Sequence, residues 1–178
     1  MTDDVEDYTD ILKRTDDKKT WPAGPWRDEP DRKEWVDPET GLRCYILRGP
    51  HGSLCGYVGV PKGHPAWGMS YDGIDYTERS DNPSIEWWRR HVTHRIEYKI
   101  SDICVHGGLT FAGTPAHIED EETHWFGFDC AHAGDFSPKY DQSKWLGTAV
   151  RGGTNDYRDI EYVTQECAGL AKQLAAIK

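Results

Sequence analysis

The sequence lacks any run of about 18 apolar residues, the minimum for a transmembrane helix, and it lacks the apolar N-terminal segment of a secretory signal peptide. Basic residues are also scarce: 21 lysines and arginines stand against 31 aspartates and glutamates, giving a formal net charge of −10. A protein that coats nucleic acid needs a basic face to displace phosphate counterions. These absences argue against a membrane-spanning protein and against general nucleic-acid binding. They are compatible with a local basic pocket for one small phosphorylated ligand.

Cysteine is present in an odd number, five, scattered along 178 residues. Without a signal peptide, this pattern predicts reduced thiols in an intracellular protein. Hydrophobic residues make up only 37% of the chain, but 8 tryptophans and 9 tyrosines supply large apolar areas. A chain of this length buries roughly two thirds of the surface that it exposes when unfolded. We therefore expect one compact domain with an aromatic-rich core.

Residues 1–40 form a charged segment that differs from the rest of the chain. They include thirteen acidic and seven basic residues, and two prolines and a glycine between positions 21 and 26 interrupt any helix. Three tryptophans, Trp21, Trp26 and Trp35, predict an N-terminal arm that is pinned onto a single domain spanning residues 41–178. Alternatively, the arm is a lid, or it is exchanged between the subunits of a homodimer.

Hydrophobic patterning predicts an α+β fold for residues 41–178. Two apolar runs, residues 42–48 and 54–60, flank a turn of glycine, proline and serine and indicate a β-hairpin. Near the C-terminus, apolar residues recur every three or four positions, which predicts a helix from about Asp156 to Ile177 with Cys167 on its buried stripe. The expected architecture is a mostly antiparallel sheet of four to six strands packed against this long C-terminal helix.

Two stretches outside these elements have the composition of ligand-binding segments. Residues 61–83 form a long irregular connection rich in aromatic residues, in which Trp67 is a candidate wall of a ligand pocket. Residues 85–100 are the most basic stretch in this acidic chain. A solvated surface is the simpler explanation of these charges, but Arg89 and Arg95, with Lys144 from a later polar loop, are candidates for binding phosphate.

The signature Cys-x-His-x-Gly occurs twice, as Cys104 with His106 and as Cys130 with His132. In an extended strand, residues two apart point to the same face. If the two copies lie on neighbouring strands, one patch holds two thiols and two imidazoles. We predict that this patch is the active or binding centre.

A zinc site is the first interpretation of the double signature, since two thiolates and two imidazoles bind Zn²⁺ tetrahedrally. The four candidate ligands are Cys104, His106, Cys130 and His132. Against this set, Cys-x-His on a strand separates its two ligands by about 7 Å, which favours one ligand from each strand. The carboxylates of Asp129 and Asp135 extend the set towards a catalytic site with three protein ligands and a water molecule.

Acid–base catalysis without a metal is the second interpretation. An unperturbed imidazole changes its charge near neutral pH, so His106 and His132 are candidates for general acid and general base. Asp129 and Asp135 lie close to His132 in the sequence and are candidates for orienting an imidazole.

Neighbouring residues suggest two further roles in catalysis. Thr110 and the backbone of Gly107 and Gly108 are candidates for holding an oxyanion or a ligand, because glycine allows close approach to the backbone. Cys130 is a candidate nucleophile that a histidine would activate. The remaining alternative is a set of hydrogen-bonded core residues without chemistry.

Three stretches resemble a family of small uncharacterised proteins of bacteriophages and prophages. They are residues 105–111 (VHGGLTF), residues 125–135 (WFGFDCAHAGD) and residues 161–174. The resemblance covers roughly residues 42–176 and leaves out the N-terminal arm. It implies a phage context, and with it the cytoplasm of a host cell, but it implies no particular reaction.

These features together predict a small phage-encoded hydrolase that acts on a nucleotide or a related phosphorylated small molecule, for example a host immune signal. Its chemistry is either His/Asp acid–base catalysis or metal-assisted hydrolysis, with zinc as the candidate cofactor. One alternative is a protein that sequesters a nucleotide without catalysis. Another is an adaptor that binds a host protein through residues 1–40, in which the cysteines and histidines are structural.

Overall fold

In a computed structural model, which describes residues 15–71, 100–115, 118, 120–139 and 155–177, an antiparallel sheet is covered on one face by a helix. The strands are β1 (Arg32–Val36), β2 (Arg43–Arg48), β3 (Leu54–Pro61), β4 (Phe111–Gly113) and β5 (Thr123–Asp129). Their order is β1-β2-β3-β5-β4, and every pair is antiparallel. Helix α1 spans Ile160–Ala175, and short 3₁₀ helices span Thr15–Thr20, Pro25–Arg27 and Ile100–Asp102. The α+β class expected from the sequence is confirmed.

The predicted hairpin is formed by β2 and β3, which pair from Arg43 with Gly59 to Arg48 with Leu54. Glycine in the second strand is needed for packing. A Cβ at Gly56 would lie 2.5 Å from the Phe128 ring and 2.8 Å from Sγ of Cys167. Gly56 therefore lets β5 and the helix approach β3 closely.

Helix α1 begins where Asp159 caps it, since the Asp159 carboxylate accepts a hydrogen bond from the backbone N–H of Tyr162 at 2.8 Å. The predicted start at Asp156 is therefore four residues early. The helix buries Val163, Cys167, Leu170, Ala171 and Leu174. These side chains pack on the apolar face of the sheet, and Cys167 is a core residue as expected. Within the described part of the chain, no helix is long and apolar enough to cross a membrane.

The opposite face of the sheet carries a second, aromatic cluster. Tyr45 and Trp125 are almost completely buried, and Leu47 is 5% exposed. Tyr57 and Phe111 pack against them, with ring centroids 5.5 Å apart in an edge-to-face arrangement. Aromatic side chains thus supply much of the buried area on this face, as the composition predicts.

Arg48, at the end of β2, is a fully buried cation that ties the N-terminal segment to the sheet. Its guanidinium donates to Glu29 Oε2 at 3.0 Å, to Asp31 Oδ1 at 2.6 Å and to the Tyr157 hydroxyl at 2.7 Å. These partners matter because an unpaired buried charge is strongly destabilising. Strand β1 also lies within residues 1–40, so this part of the segment assigned to an arm is an edge strand of the sheet.

The two signature copies do not lie on strands, which corrects the sequence-based expectation. After the first cysteine the chain turns at His106 and Gly107, and β4 begins only at Phe111. Gly107 and Gly108 have φ values of 66° and 86°, outside the β region, and the Gly108 N–H donates to the carbonyl oxygen of Val105 at 2.9 Å. The second copy follows the end of β5 at Asp129. Two consecutive glycines with positive φ therefore end extended structure within the first copy.

Candidate metal centre

His106, His132 and Asp135 form a group that could hold a metal ion. Each offers one ligand atom, and these atoms all lie within 4.8 Å of one another. Nε2 of His106 lies 2.7 Å from Oδ2 of Asp135, and Nδ1 of His132 lies 3.8 Å from the same oxygen. The imidazole rings of the two histidines are 5.6 Å apart at their centroids. The two signatures therefore meet through their histidines.

Asp135 is the centre of this group, and its side chain is only 3% exposed. Oδ2 accepts hydrogen bonds from His106 and from the backbone N–H of His132, and Oδ1 accepts one from Nε of Arg158 at 3.0 Å. Burial by itself would raise the pKa of Asp135, but the hydrogen bonds from His106 and Arg158 outweigh it and hold that pKa below its ordinary value. Asp135 is therefore ionised at neutral pH.

Helix α1 positions the first signature through side chains spaced along one face. Glu166 accepts the backbone N–H of His106 at 2.7 Å, and the Tyr162 hydroxyl lies 3.0 Å from Nδ1 of His106. Gln173 both donates to the carbonyl oxygen of Cys104 and accepts its N–H, each at 2.8 Å. These hydrogen bonds hold a loop that has no strand partners of its own between Cys104 and His106.

His132 has an unsatisfied ring nitrogen. Its Nδ1 atom is buried and, among the described residues, has no hydrogen-bond partner. The nearest charged atoms are carboxylate oxygens of Asp129 and Asp135, both 3.8 Å away, too far for a hydrogen bond. Buried polar nitrogens are rarely left unpaired, so this atom marks a place where a further group would be stabilised.

Two of the three ligand–ligand separations in the cluster fit a small divalent cation. An ion about 2.1 Å from each ligand atom tolerates ligand–ligand separations up to about 4.2 Å. The two measured separations from Asp135 Oδ2, 2.7 Å and 3.8 Å, both fall within that limit. When Nε2 of His106 binds a metal, Nδ1 carries the hydrogen and donates it to the Tyr162 hydroxyl, as second-sphere partners of metal-binding histidines do.

The same contacts also satisfy both ring nitrogens of His106 without a metal. With the hydrogen on Nε2, His106 donates to Asp135, and its Nδ1 accepts from the Tyr162 hydroxyl. This arrangement is an Asp–His pair of the kind that orients a general base.

Neither cysteine of the signatures belongs to the cluster, which corrects the four-ligand set of Cys104, His106, Cys130 and His132. Cys130 is 1% exposed and part of the hydrophobic core, and burial raises the pKa of its thiol, so it stays protonated and unreactive. Cys104 is exposed on the loop. The expectation required extended strands, in which residues two apart share a face, and the first copy is instead a loop that turns at His106.

Asp129 and Thr110 form a second pair beside the cluster. The Thr110 hydroxyl donates to Oδ2 of Asp129 at 2.9 Å, and the backbone N–H of Ala131 donates to Oδ1 at 3.1 Å. The side chains of Asp129 and His132 are each about one third exposed, so solvent reaches this side of the cluster. Thr110 thus holds a carboxylate in place next to His132.

Of the other predicted binding residues that the structure describes, Trp67 lies away from the cluster. Trp67 contacts His124, near the start of β5, so it is at the far end of that strand from Asp129. Arg89, Arg95 and Lys144 lie outside the described residues. Gly107, in contrast, lies directly against His132.

Sequence reasoning did not identify three residues that contact the cluster: Arg158, Tyr162 and Glu166. Tyr162 and Glu166 are four positions apart in the predicted helix and therefore share a face, which was the available signal. Arg158 directly precedes the helix cap, and nothing in its local sequence indicates that it contacts Asp135.

In comparisons with known proteins, no family model, no curated protein and no solved structure matches this chain.

Proposed function

We propose that this protein is a small metal-dependent hydrolase that acts on a nucleotide or a related phosphorylated small molecule. Zn²⁺ or a similar divalent cation would be held by His106, His132 and Asp135. The observation that carries the proposal is the buried Nδ1 of His132, which has no hydrogen-bond partner among the described residues and lies 3.8 Å from the carboxylates of Asp129 and Asp135. Two histidines and one carboxylate are a common ligand set of catalytic zinc sites.

Three protein ligands leave a coordination position for water, and a bound divalent cation lowers the pKa of that water towards neutrality. Asp129 is the residue placed to accept a proton there. Its carboxylate lies 3.8 Å from His132 Nδ1, is held by Thr110 and the Ala131 N–H, and is reached by solvent. Asp129 would act as general base, while Asp135 remains a ligand.

The second part of the proposal is the phosphorylated substrate. It rests on the phage context that the resemblance implies, together with the basic stretch of residues 85–100 in the sequence. An enzyme of this kind would work in the host cytoplasm.

Metal content tests the centre directly. We expect about one zinc per chain in the wild-type protein by elemental analysis after dialysis, and a loss of at least about tenfold in zinc affinity for His132→Ala and Asp135→Asn. His51→Ala is the matched control, because it removes an exposed imidazole outside the cluster. Hydrolysis of a nucleotide panel should require the added metal. A wild-type protein that takes up no zinc, manganese or other divalent cation would contradict the metal centre.

Acid–base catalysis without a metal is a second candidate, favoured by the 2.7 Å hydrogen bond between His106 and Asp135. It predicts turnover in chelator-treated wild-type protein and loss of turnover in His132→Ala with ligand binding retained. A protein that instead returns every bound nucleotide unchanged after denaturation is a sequestering protein, and both enzymatic candidates then fail.

A further inference from the structure

Arg158 is a cation that contacts the cluster of His106, His132 and Asp135. Its Nε donates to Oδ1 of Asp135 at 3.0 Å, and its guanidinium carbon lies 5.0 Å from the centroid of the Tyr162 ring. Tyr162 in turn contacts His106 through its hydroxyl. Arg158 is thus held at the cluster by one hydrogen bond and one stacking contact, while its side chain remains 27% exposed.

The contact with Asp135 uses only one of the N–H donors of the Arg158 guanidinium. Arginine has five N–H donors, and Asp135 accepts only the one on Nε. Asp135 does not make the usual two-pronged contact with Arg158, and its Oδ2 accepts instead from Nε2 of His106 and from the backbone N–H of His132. Among the described residues, no group accepts a hydrogen bond from either Nη nitrogen of Arg158. Both Nη groups of the guanidinium are therefore available to an anion.

We propose that Arg158 binds the phosphoryl group of the substrate beside the metal. This inference rests on the proposed function, and it assigns to Arg158 the role that the sequence suggested for Arg89, Arg95 and Lys144. A guanidinium edge matches two oxygens of a phosphoryl group, and its planar fork is pre-organised for that contact. Stacking on Tyr162 restricts the side chain and therefore lowers the entropic cost of binding.

Local charge makes this binding depend on the metal. The carboxylates of Asp129, Asp135 and Glu166 surround the cluster, and Arg158 is the one cation that contacts it among the described residues. Without a metal, negative charge therefore exceeds positive charge and repels a phosphate. A divalent cation offsets this excess of negative charge, so that phosphoryl binding requires both the metal and Arg158.

Phenylphosphonate is a suitable probe, because hydrolysis does not cleave its phosphorus–carbon bond. Its affinity should be measured by isothermal titration calorimetry at saturating zinc, after zinc binding of each variant has been measured separately by equilibrium dialysis. We expect Arg158→Gln to weaken phenylphosphonate binding by about tenfold or more, and Arg158→Lys, which keeps the charge but loses the fork, to bind with intermediate affinity. Removing zinc from the wild-type protein should abolish binding.

Lys62→Gln is the control for loss of one positive charge. Lys62 is exposed and pairs with Glu122 at the end of β3 and β5 farthest from Asp129, and this variant should bind phenylphosphonate like the wild type. If zinc binds but Arg158→Gln binds the phosphonate as tightly as the wild type, the role of Arg158 is wrong and the metal centre stands. If the wild type binds neither zinc nor the phosphonate, both proposals are wrong.

Discussion

At the scale of single residues, Gly107 decides whether the His132 imidazole can occupy the cluster. A Cβ at position 107 would lie 2.5 Å from both ring nitrogens of His132, well inside contact distance. We therefore expect Gly107→Ala to displace the ring and to lower zinc affinity by about tenfold or more. Competition with a chelator of known affinity measures this change.

Gly108→Ala is the matched control for this prediction. Gly108 also has a positive φ, but a Cβ there would have no atom within 4 Å. Both variants should lose about 1 kcal/mol of unfolding free energy from backbone strain, and only Gly107→Ala should also lose zinc affinity. Equal zinc affinities in the two variants would show that the ring position does not depend on Gly107.

A substitution at Tyr162 tests whether the hydrogen-bond partner of His106 affects zinc affinity. Tyr162→Phe removes the hydroxyl 3.0 Å from Nδ1 and keeps the ring on which Arg158 stacks. Loss of such a partner lowers metal affinity by about 10- to 100-fold. Tyr71→Phe, at an exposed tyrosine, should leave zinc affinity unchanged. An unaffected Tyr162→Phe would mean that His106 is oriented by its backbone and Asp135 alone.

At the scale of secondary-structure elements, replacing a glycine by alanine should have opposite effects on the free energy of unfolding in the helix and in the sheet. Gly169 lies within α1, and a Cβ there would contact nothing within 4 Å. Gly169→Ala should therefore raise the free energy of unfolding by about 0.5–1 kcal/mol, since alanine is the better helix former. Urea denaturation measures this gain.

Gly56→Ala should instead destabilise the protein by about 1–3 kcal/mol, because the added methyl group would overlap the Phe128 ring and the Cys167 sulfur. The pair of variants tests the packing of α1 on β3 and β5. If Gly56→Ala were as stable as the wild type, the helix would not lie this close to the sheet.

At the scale of the whole molecule, two histidines outside the cluster make stability depend on pH. Burial lowers the pKa of His64 and of His124, although hydrogen bonds to the carbonyl oxygens of Leu174 and Met69 oppose the shift. His64 also accepts the N–H of Ala66 on Nδ1, which requires the neutral ring. Both side chains are therefore favoured as neutral imidazoles in the folded protein.

The unfolded chain takes up these protons at about pH 6.5, before the folded protein does. Stability is therefore complete above about pH 6.5 and falls as the pH drops towards the lowered folded pKa values, by at most about 1.4 kcal/mol per pH unit for each histidine. Urea unfolding at pH 7.5 and 5.5, with a chelator present to remove metal effects, measures the slope. His64→Gln with His124→Gln should reduce it, and equal wild-type stability at the two pH values would contradict the prediction.

The sequence by itself determined the elements whose signals are local. Two apolar runs around a turn identified the β2–β3 hairpin, a helical hydrophobic period identified helix α1, and the apolar stripe placed Cys167 in the core. The double signature also identified His106 and His132 as a pair before any contact between them was known. These predictions succeeded because a strand or helix repeats its pattern within a few residues.

Only the tertiary structure decided which residues accompany the two histidines. Two glycines with positive φ turn the first signature out of a strand, so Cys104 does not join His106, while the core takes up Cys130. Asp135 reaches His106 across 29 positions of the chain, and Arg158 reaches Asp135 from the segment that leads into α1. Such contacts depend on how loops and helix meet in space, and no short sequence period encodes them.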